Sequence, residues 1–153
     1  MPSLIRSWLP GLSRLAETWR ARLRTAEAMA ELLRARRLVL RIPFGTWRDR
    51  LGLSANAPAR DATDPQVAAA WALARHIDRA AWRMGGEWLC LPRAVALIAM
   101  LRRREIPYAL HIAARPETQR TGTDDLHAWV DVGPVRVIGD LPGEWAVIFR
   151  AQG

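Results

Sequence analysis

The spacing of apolar residues changes about two thirds of the way along the chain. Up to about residue 104, apolar positions recur every three or four residues, which is typical of amphipathic helices. The first stripe predicts one long helix over residues 13–37, or two shorter helices with a break near Thr25, and places arginines on the other face. Its apolar members are Leu12, Leu15, Trp19, Leu23, Ala26, Ala30 and Leu33.

A second long helix is predicted between an exposed linker and a pair of glycines. Residues 46–52 are expected to form a short helical turn, and residues 53–63, with Ser, Asn, Pro and Ala, form the linker. Asp64 is placed to cap the helix and Pro65 to occupy its first position. Gly85-Gly86 ends the helix, because glycine adopts the left-handed conformation that is common after a helix end.

The remaining pattern predicts one more helix and then a sheet. Residues 91–104 are apolar on every side in their middle, so we expect this helix to be buried. Beyond it the residues alternate as strands do, over residues 108–112, 126–132 and 135–139. Helices followed by an antiparallel sheet predict an α+β fold, with a helical N-terminal part and then a helix packed on a small sheet.

The charge of the chain is distributed unevenly. The net charge is +8, every basic residue is arginine, and residues 1–60 carry the whole surplus. We therefore divide the chain into a basic helical region, 1–60, and a core, 61–153. Such a basic region suits an acidic protein, a membrane surface or nucleic acid, although a solvated helix face in an arginine-rich sequence explains it equally well. Nucleic acid is the least favoured partner, because few aromatic residues stand between the arginines and Trp19 belongs to the apolar stripe.

Several classes of protein are excluded or disfavoured. The longest apolar run, residues 94–101, is far shorter than a membrane span, and residues 1–10 lack the apolar stretch of a signal peptide. The single cysteine, Cys90, excludes an internal disulfide framework and a zinc site built on several cysteines. We expect a cytoplasmic protein without a cofactor.

Two residues are candidates for catalytic chemistry. Cys90 stands just before the buried helix, where free N–H groups stabilise a thiolate, although a lone cysteine is more often a small buried apolar residue. His127 shares one strand face with Trp129 and Asp131. A histidine there is often only structural, but it serves as base to a cysteine if a third group fixes its ring.

The register of the predicted hairpin supplies that third group. If Gly133-Pro134 is a two-residue loop, Asp131 pairs with Arg136 and His127 lies opposite Asp140. Directly opposed residues have Cβ atoms about 4.5–5.5 Å apart, so Asp140 is predicted to orient His127, while Asp131 lies about 13 Å away. A longer loop would shift the pairing and turn Asp140 to the other face.

The predicted trio is therefore Cys90, His127 and Asp140, an arrangement suited to acyl transfer or peptide hydrolysis. Backbone N–H groups around Cys90 are the natural donors to an oxyanion. A zinc ion bound by the same three residues is the competing interpretation, which we disfavour because structural zinc sites with one cysteine are uncommon.

Three segments that include these residues resemble one enzyme family. They are residues 88–97 (WLCLPRAVAL), 101–107 (LRRREIP) and 127–132 (HAWVDV), and in combination they resemble the transglutaminase-like leader peptidase of lasso peptide biosynthesis. Residues 42–52 resemble the N-terminal part of that family, so the resemblance covers about residues 30–140.

The resemblance implies a bacterial cysteine protease that removes the leader from a ribosomally made precursor peptide. A separate ATP-dependent macrolactam synthetase then closes the ring of the remaining core peptide. Its implied partners are the precursor, a separate leader-recognition protein and the synthetase. Cys90 matches the family nucleophile and His127 the base. The family pattern places the acid about one position earlier, at Gly139, and Asp140 is our choice on the hairpin register.

The basic region gains a use in this picture. We expect an arginine face to dock the complex of leader and recognition protein, through Arg34, Arg36, Arg37, Arg41, Arg48 and Arg50. Two interpretations from other classes stay open. One is a non-catalytic basic scaffold that binds an acidic partner or nucleic acid through residues 1–60, and the other is a different acyltransferase on the same type of fold.

Overall fold

A computed structural model describes residues 9–51, 53–55, 60–120, 122 and 125–153. Within these residues the chain forms four α-helices and then four strands. The helices are α1 (Leu9–Arg41), α2 (Phe44–Arg50), α3 (Asp64–Met84) and α4 (Cys90–Arg102). None of them combines the length and the apolar content needed to cross a bilayer.

The sheet is antiparallel and has the strand order β3-β2-β1-β4. Its strands are β1 (Ala109–Ala114), β2 (Leu126–Val132), β3 (Val135–Ile138) and β4 (Ala146–Gln152), and a short 3-10 helix, Glu117–Gln119, lies between β1 and β2. The predicted α+β class is confirmed. β4 is an addition to the predicted sheet, although its run of Val147, Ile148 and Phe149 has the composition that favours a strand.

Helix α4 is the centre of the hydrophobic core. It contacts α1 and α3 on one side and β2 on the other. Leu97, Ile98 and Met100 are fully buried, as the uniformly apolar sequence of this segment predicts. Because packed elements surround α4, its N-terminus has one fixed position relative to the sheet.

Helix α1 is unbroken at Thr25, but its most regular apolar stripe is not the face that contacts the core. Leu15, Trp19 and Leu23 are each more than 60% exposed (62%, 62% and 61%), and the side chain of Leu12 lies outside the described residues. The face of α1 that packs in the core consists of Thr25, Ala28, Leu32 and Ala35.

Polar contacts account for this choice of face. Both guanidinium nitrogens of Arg104 donate to the Glu27 carboxylate, at 3.0 and 2.8 Å, and Arg103 lies 3.0 Å from both Glu27 and Glu31. Thr25 Oγ1 lies 2.9 Å from His76 Nδ1, which joins α1 to α3. These pairs satisfy groups that would otherwise be buried without partners, so they fix the rotation of α1 against α3 and α4.

The segment between α2 and α3 is only partly the exposed linker that we expected. Leu53 is buried, and Ser54 exchanges two backbone hydrogen bonds with Gln152, at 3.0 and 3.3 Å. Residues 56–59 lie outside the described residues. Trp47 of α2 is also buried in the main core, so part of the N-terminal region packs together with residues of the core region.

The start of α3 differs from the prediction by one residue. Thr63, not Asp64, is the N-cap, and the Gln66 side chain accepts a hydrogen bond from the Thr63 N–H at 2.9 Å. Pro65 lies in the first turn, as predicted. The residues that stabilise the helix start are therefore those of a capping box.

We expect Glu27→Gln to destabilise the fold by about 1–2 kcal/mol at pH 7, because it removes a carboxylate bound by two arginines. Hydrogen bonds from Arg104 hold the pKa of Glu27 below its ordinary value of 4.5, with burial opposing them. A lowered folded-state pKa gives stability above the unfolded-state pKa and loses it as the pH falls, so the difference between wild type and variant should shrink below about pH 4.5.

Urea denaturation at pH 7 and at low pH measures this difference. Glu17→Gln is the matched control, because Glu17 lies on the exposed part of the same helix, and it should change stability by less than about 0.5 kcal/mol. A Glu27→Gln effect that stayed constant with pH would contradict the role given to the ion pairs.

Candidate active site

The connection from α3 to α4 places Cys90 at the tip of the central helix. Gly85 and Gly86 have φ angles of 67° and 76° and turn the chain, and the indole N–H of Trp88 donates to the Gly85 carbonyl at 3.0 Å. Cys90 is the first residue of α4 and is half-buried. Its thiol is therefore not enclosed in the apolar core, as it would be if the cysteine were only structural.

Two backbone donors remain free beside the thiol. In an α-helix the first N–H groups have no partner within the helix. Pro92 has no N–H, and the N–H of Arg93 bonds to the Leu89 carbonyl at 3.4 Å. In the described part of the chain, the N–H groups of Cys90 and Leu91 donate to no backbone carbonyl. They supply donors for an anion that develops next to the sulfur.

His127 is held in one orientation by the backbone of the neighbouring strand. Its ring is buried, 7% exposed, and Nε2 lies 2.6 Å from the Gly139 carbonyl oxygen. A carbonyl only accepts, so Nε2 carries the proton and donates it. In the neutral ring Nδ1 is then the basic nitrogen, which is the tautomer that a general base for a thiol requires.

Gly139 makes this hydrogen bond possible. Its φ angle is 84°, and a Cβ atom at this position would lie 2.5 Å from the Ala128 carbonyl oxygen and 2.8 Å from Trp129 Cβ. Only glycine allows the backbone to pass so close to β2. The chain thus brings a main-chain carbonyl to His127, at the position where the resemblance places the family acid.

The hairpin register explains why Asp140 does not fill that role here. Asp131 pairs with Arg136 as predicted, but a bulge then pairs Val130 with Ile138, so β3 has one extra residue. The predicted pairing of Val130 with Val137 is therefore wrong, and β3 ends at Ile138, before the predicted pair of His127 with Asp140. The Asp140 side chain is 94% exposed, and its carboxylate lies 3.9 Å from the Arg136 guanidinium.

Aromatic rings enclose the His127 imidazole. Its ring centroid lies 5.1 Å from that of Trp145 and 5.9 Å from that of Trp129. The guanidinium of Arg115 lies 4.8 Å from the Trp145 centroid and that of Arg136 lies 4.2 Å from Trp129. The imidazole is therefore packed against two tryptophan rings, each of which also faces a guanidinium. Sequence reasoning did not single out Trp145, which follows the predicted strands.

Asp131 belongs to a neighbouring cluster, as its predicted distance from His127 implied. One carboxylate oxygen accepts from the Trp129 indole N–H at 3.2 Å and lies 3.2 Å from His111 Nδ1. Burial lowers the pKa of His111, and the charge of Asp131 opposes that shift. The carboxylate therefore orients Trp129 and His111 rather than the histidine of the site.

Cys90 and His127 line one cavity of about 420 Å³. Its walls include Trp71 of α3, the ion pair of Arg93 with Asp78, and residues 136–141, which follow β2. Asp140 lies on this wall with its carboxylate toward solvent. The structure thus brings Cys90 and His127 to a common cleft and leaves Asp140 at its edge.

The arrangement favours acyl transfer over metal chemistry. A helix tip with free N–H groups, a thiol and a histidine in the tautomer of a base are the parts of a cysteine-dependent acyl transfer site. Among the residues that the structure describes, no cluster of three or more His, Cys, Asp or Glu could hold a metal ion. The zinc interpretation gains no support from this geometry.

Residues 32–150 match the family model of the Transglutaminase-like superfamily. The match spans most of the chain and includes both Cys90 and His127. No match was found among curated proteins or among solved structures.

We expect Gly139→Ala to destabilise the protein more than an alanine at a glycine with free space around it. Gly86 is the matched control, with a φ angle of 76° and no atom within 4 Å of an added Cβ. Gly86→Ala should cost about 1–2 kcal/mol of backbone strain, and Gly139→Ala about 2 kcal/mol more, because its Cβ meets strand β2. Urea denaturation measures both, and equal costs would show that the close approach is not needed.

Proposed function

Because this chain belongs to the Transglutaminase-like superfamily, we propose that it is a cysteine peptidase that removes the leader from a ribosomally made lasso peptide precursor. One observation carries the proposal: Cys90 at the tip of α4 and His127, fixed by the Gly139 carbonyl, line the same cavity. The resemblance of residues 88–97, 101–107 and 127–132 to the leader peptidase family supports the substrate. We place the reaction in the cytoplasm, where thiols stay reduced.

The proposed mechanism uses each part of the cleft. His127 Nδ1 takes the thiol proton of Cys90, and the sulfur attacks the scissile carbonyl carbon. The N–H groups of Cys90 and Leu91 stabilise the oxyanion of the tetrahedral intermediate. The His127 imidazolium then donates its proton to the leaving amine, and a water molecule, activated by the same nitrogen, hydrolyses the thioester.

In this proposal Asp140 does not orient the His127 ring, so its role is smaller than that of a catalytic acid. The Gly139 carbonyl already holds Nε2–H, so the exposed Asp140 carboxylate is not needed to orient the ring. Solvent screens an exposed charge, so its contribution to the rate is modest.

We expect Cys90→Ala to abolish leader release and His127→Gln to lower kcat by about a thousandfold or more, because each removes half of the nucleophile and base pair. Asp140→Asn should lower kcat by less than about tenfold. Mass spectrometry of the products from candidate precursors encoded by neighbouring genes gives the rates, with circular dichroism as the test of folding.

The outcomes separate the alternatives. Cleavage of the precursor by Cys90→Ala would exclude a peptidase that uses Cys90 as its nucleophile. Binding of an acidic partner by the wild type, without cleavage, would favour a scaffold. Transfer of the acyl group to an added primary amine rather than to water would identify another acyltransferase. A thousandfold loss in Asp140→Asn would return the orienting role to that carboxylate.

The exposed stripe of α1 supports a separate leader-recognition protein as partner. At 3.6 residues per turn, the six stripe residues from Leu15 to Leu33 fall within about 80° of the helix circumference and extend for about 27 Å. Arg22 and Arg34 lie at the two edges of this stripe, while Glu27 and Glu31 lie toward the buried face. An apolar stripe with a basic rim suits a partner surface with an apolar groove and an acidic rim.

This placement revises the arginine face that we expected from the sequence. Arg34 forms an ion pair with Glu31, Arg48 pairs with Asp49, and Arg36 lies over the Trp88 ring. The side chain of Arg50 lies outside the described residues. The partner is therefore proposed to bind the stripe, with the basic rim contributing steering and specificity.

We expect Leu23→Glu to weaken leader processing about tenfold through a higher KM for the complex of precursor and recognition protein, since it places a charge in the stripe. The control is Ile148→Glu on β4, an aliphatic residue with similar exposure. Raising the salt concentration from about 0.05 M to about 0.5 M should also raise this KM. Unchanged processing in Leu23→Glu would exclude the stripe as the docking surface.

A further inference from the structure

A second cavity lies beside the candidate site, and nothing proposed above uses it. It measures about 320 Å³, and α1 and the loop before Cys90 form its walls. The apolar lining comes from Val39, Leu40, Trp88, Leu89 and Pro92. We call these five residues, with the cavity they enclose, the apolar groove.

The groove exposes apolar side chains and has a rigid wall. Leu40 and Leu89 are 67% and 55% exposed, although both could contribute to a core. Trp88 is fixed by its hydrogen bond to the Gly85 carbonyl, at 3.0 Å, and by the guanidinium of Arg36, 5.5 Å from its ring centroid. A preformed apolar wall with exposed side chains is typical of a site that buries an apolar ligand group.

Neighbouring residues at the start of α4 line the groove and the catalytic cavity. Leu89 and Pro92 line the groove, while Cys90 and Arg93 line the catalytic cavity. Different elements line the rest of each cavity: α1 lines the groove, and the sheet lines the catalytic cavity. A substrate peptide bound across Cys90 would therefore have residues in the catalytic cavity on one side of the thiol and residues in the groove on the other side.

The chemistry of the reaction sets the direction in which the substrate peptide is bound. His127 must reach the leaving amine, so the residues downstream of the scissile bond lie on the His127 side of Cys90. His127 lines the catalytic cavity and not the groove. If the bound peptide is extended through Cys90, the residues upstream of the scissile carbonyl lie on the other side of the thiol, over Leu89 and toward Trp88. In an extended chain one residue advances about 3.3 Å, so only the nearest upstream side chains can reach the groove.

We propose that the apolar groove is the subsite for a large apolar side chain carried by one of the last two residues upstream of the scissile bond. This inference rests on the proposed function, because it takes Cys90 as the nucleophile. The volume accommodates one aliphatic or aromatic side chain. An acidic side chain is disfavoured, because it would lose water against the apolar walls, while the opposite charges of Arg36 and Glu87, which also line the groove, offset each other.

Peptidyl chloromethyl ketones test the groove directly, since they alkylate an active thiol from the upstream side and need no natural substrate. The probes are short acetylated peptides that carry Leu, Phe or Asp at the last or the penultimate position. Alkylation of Cys90 in the full chain is followed by mass spectrometry and divided by the rate with iodoacetamide. We expect the apolar probe to react at least about tenfold faster than the Asp probe at one of the two positions.

A pair of variants tests whether the groove causes this preference. Leu40→Glu places a charge on the groove wall and should reduce the preference to less than about threefold, with the iodoacetamide rate unchanged. Ile148→Glu is the matched control, 62% exposed in the wild type and distant in sequence from the groove, and should keep the full preference.

The results distinguish failure of the subsite from failure of the proposed function. Equal rates for Leu, Phe and Asp probes, or a preference that survives Leu40→Glu, would overturn the subsite even if the enzyme cleaved precursors. A preference that Leu40→Glu removes would support the subsite even if no lasso precursor were cleaved, and only the peptide substrate would then need revision.

Discussion

The burial of the middle of α4 is the constraint on which the rest of the structure depends. Its apolar sequence can be covered only by several elements at once, so α1, α3 and β2 all pack against it. Only its ends reach the surface, and the end that carries Cys90 opens into the cleft. The helix thus places the thiol beside free backbone N–H groups without using any flexible loop, which favours the precise geometry that acyl transfer needs.

The second half of the site comes from a departure from regular sheet structure. The bulge in β3 and the positive φ angle of Gly139 move the backbone toward β2, and a main-chain carbonyl reaches His127. A backbone acceptor is not lost by a side-chain rotation, so it holds the tautomer of His127 firmly. The aromatic rings of Trp129 and Trp145 pack against the same imidazole.

The polar contacts of α1 connect the site to its proposed ligands. Because Glu27, Glu31 and Thr25 bind groups on α3 and α4, the apolar stripe of α1 faces away from the core. The C-terminal part of the same helix, through Leu40, forms a wall of the apolar groove beside Cys90. One helix therefore offers a surface for a partner and a wall for the substrate, so a partner bound along it would hold a peptide close to the cleft.

The sequence by itself determined the α+β class, the bounds of β2 and the burial of the middle of α4, since each follows from local periodicity. It also singled out Cys90 and His127 as candidates, from their positions at a helix start and on a strand. Only the tertiary structure decided which face of α1 is buried and what holds His127. Both depend on contacts between residues far apart in the chain, such as Arg104 with Glu27. A single bulge, which no periodicity reveals, broke the predicted register of β2 and β3, and the Gly139 carbonyl rather than a carboxylate contacts His127 Nε2.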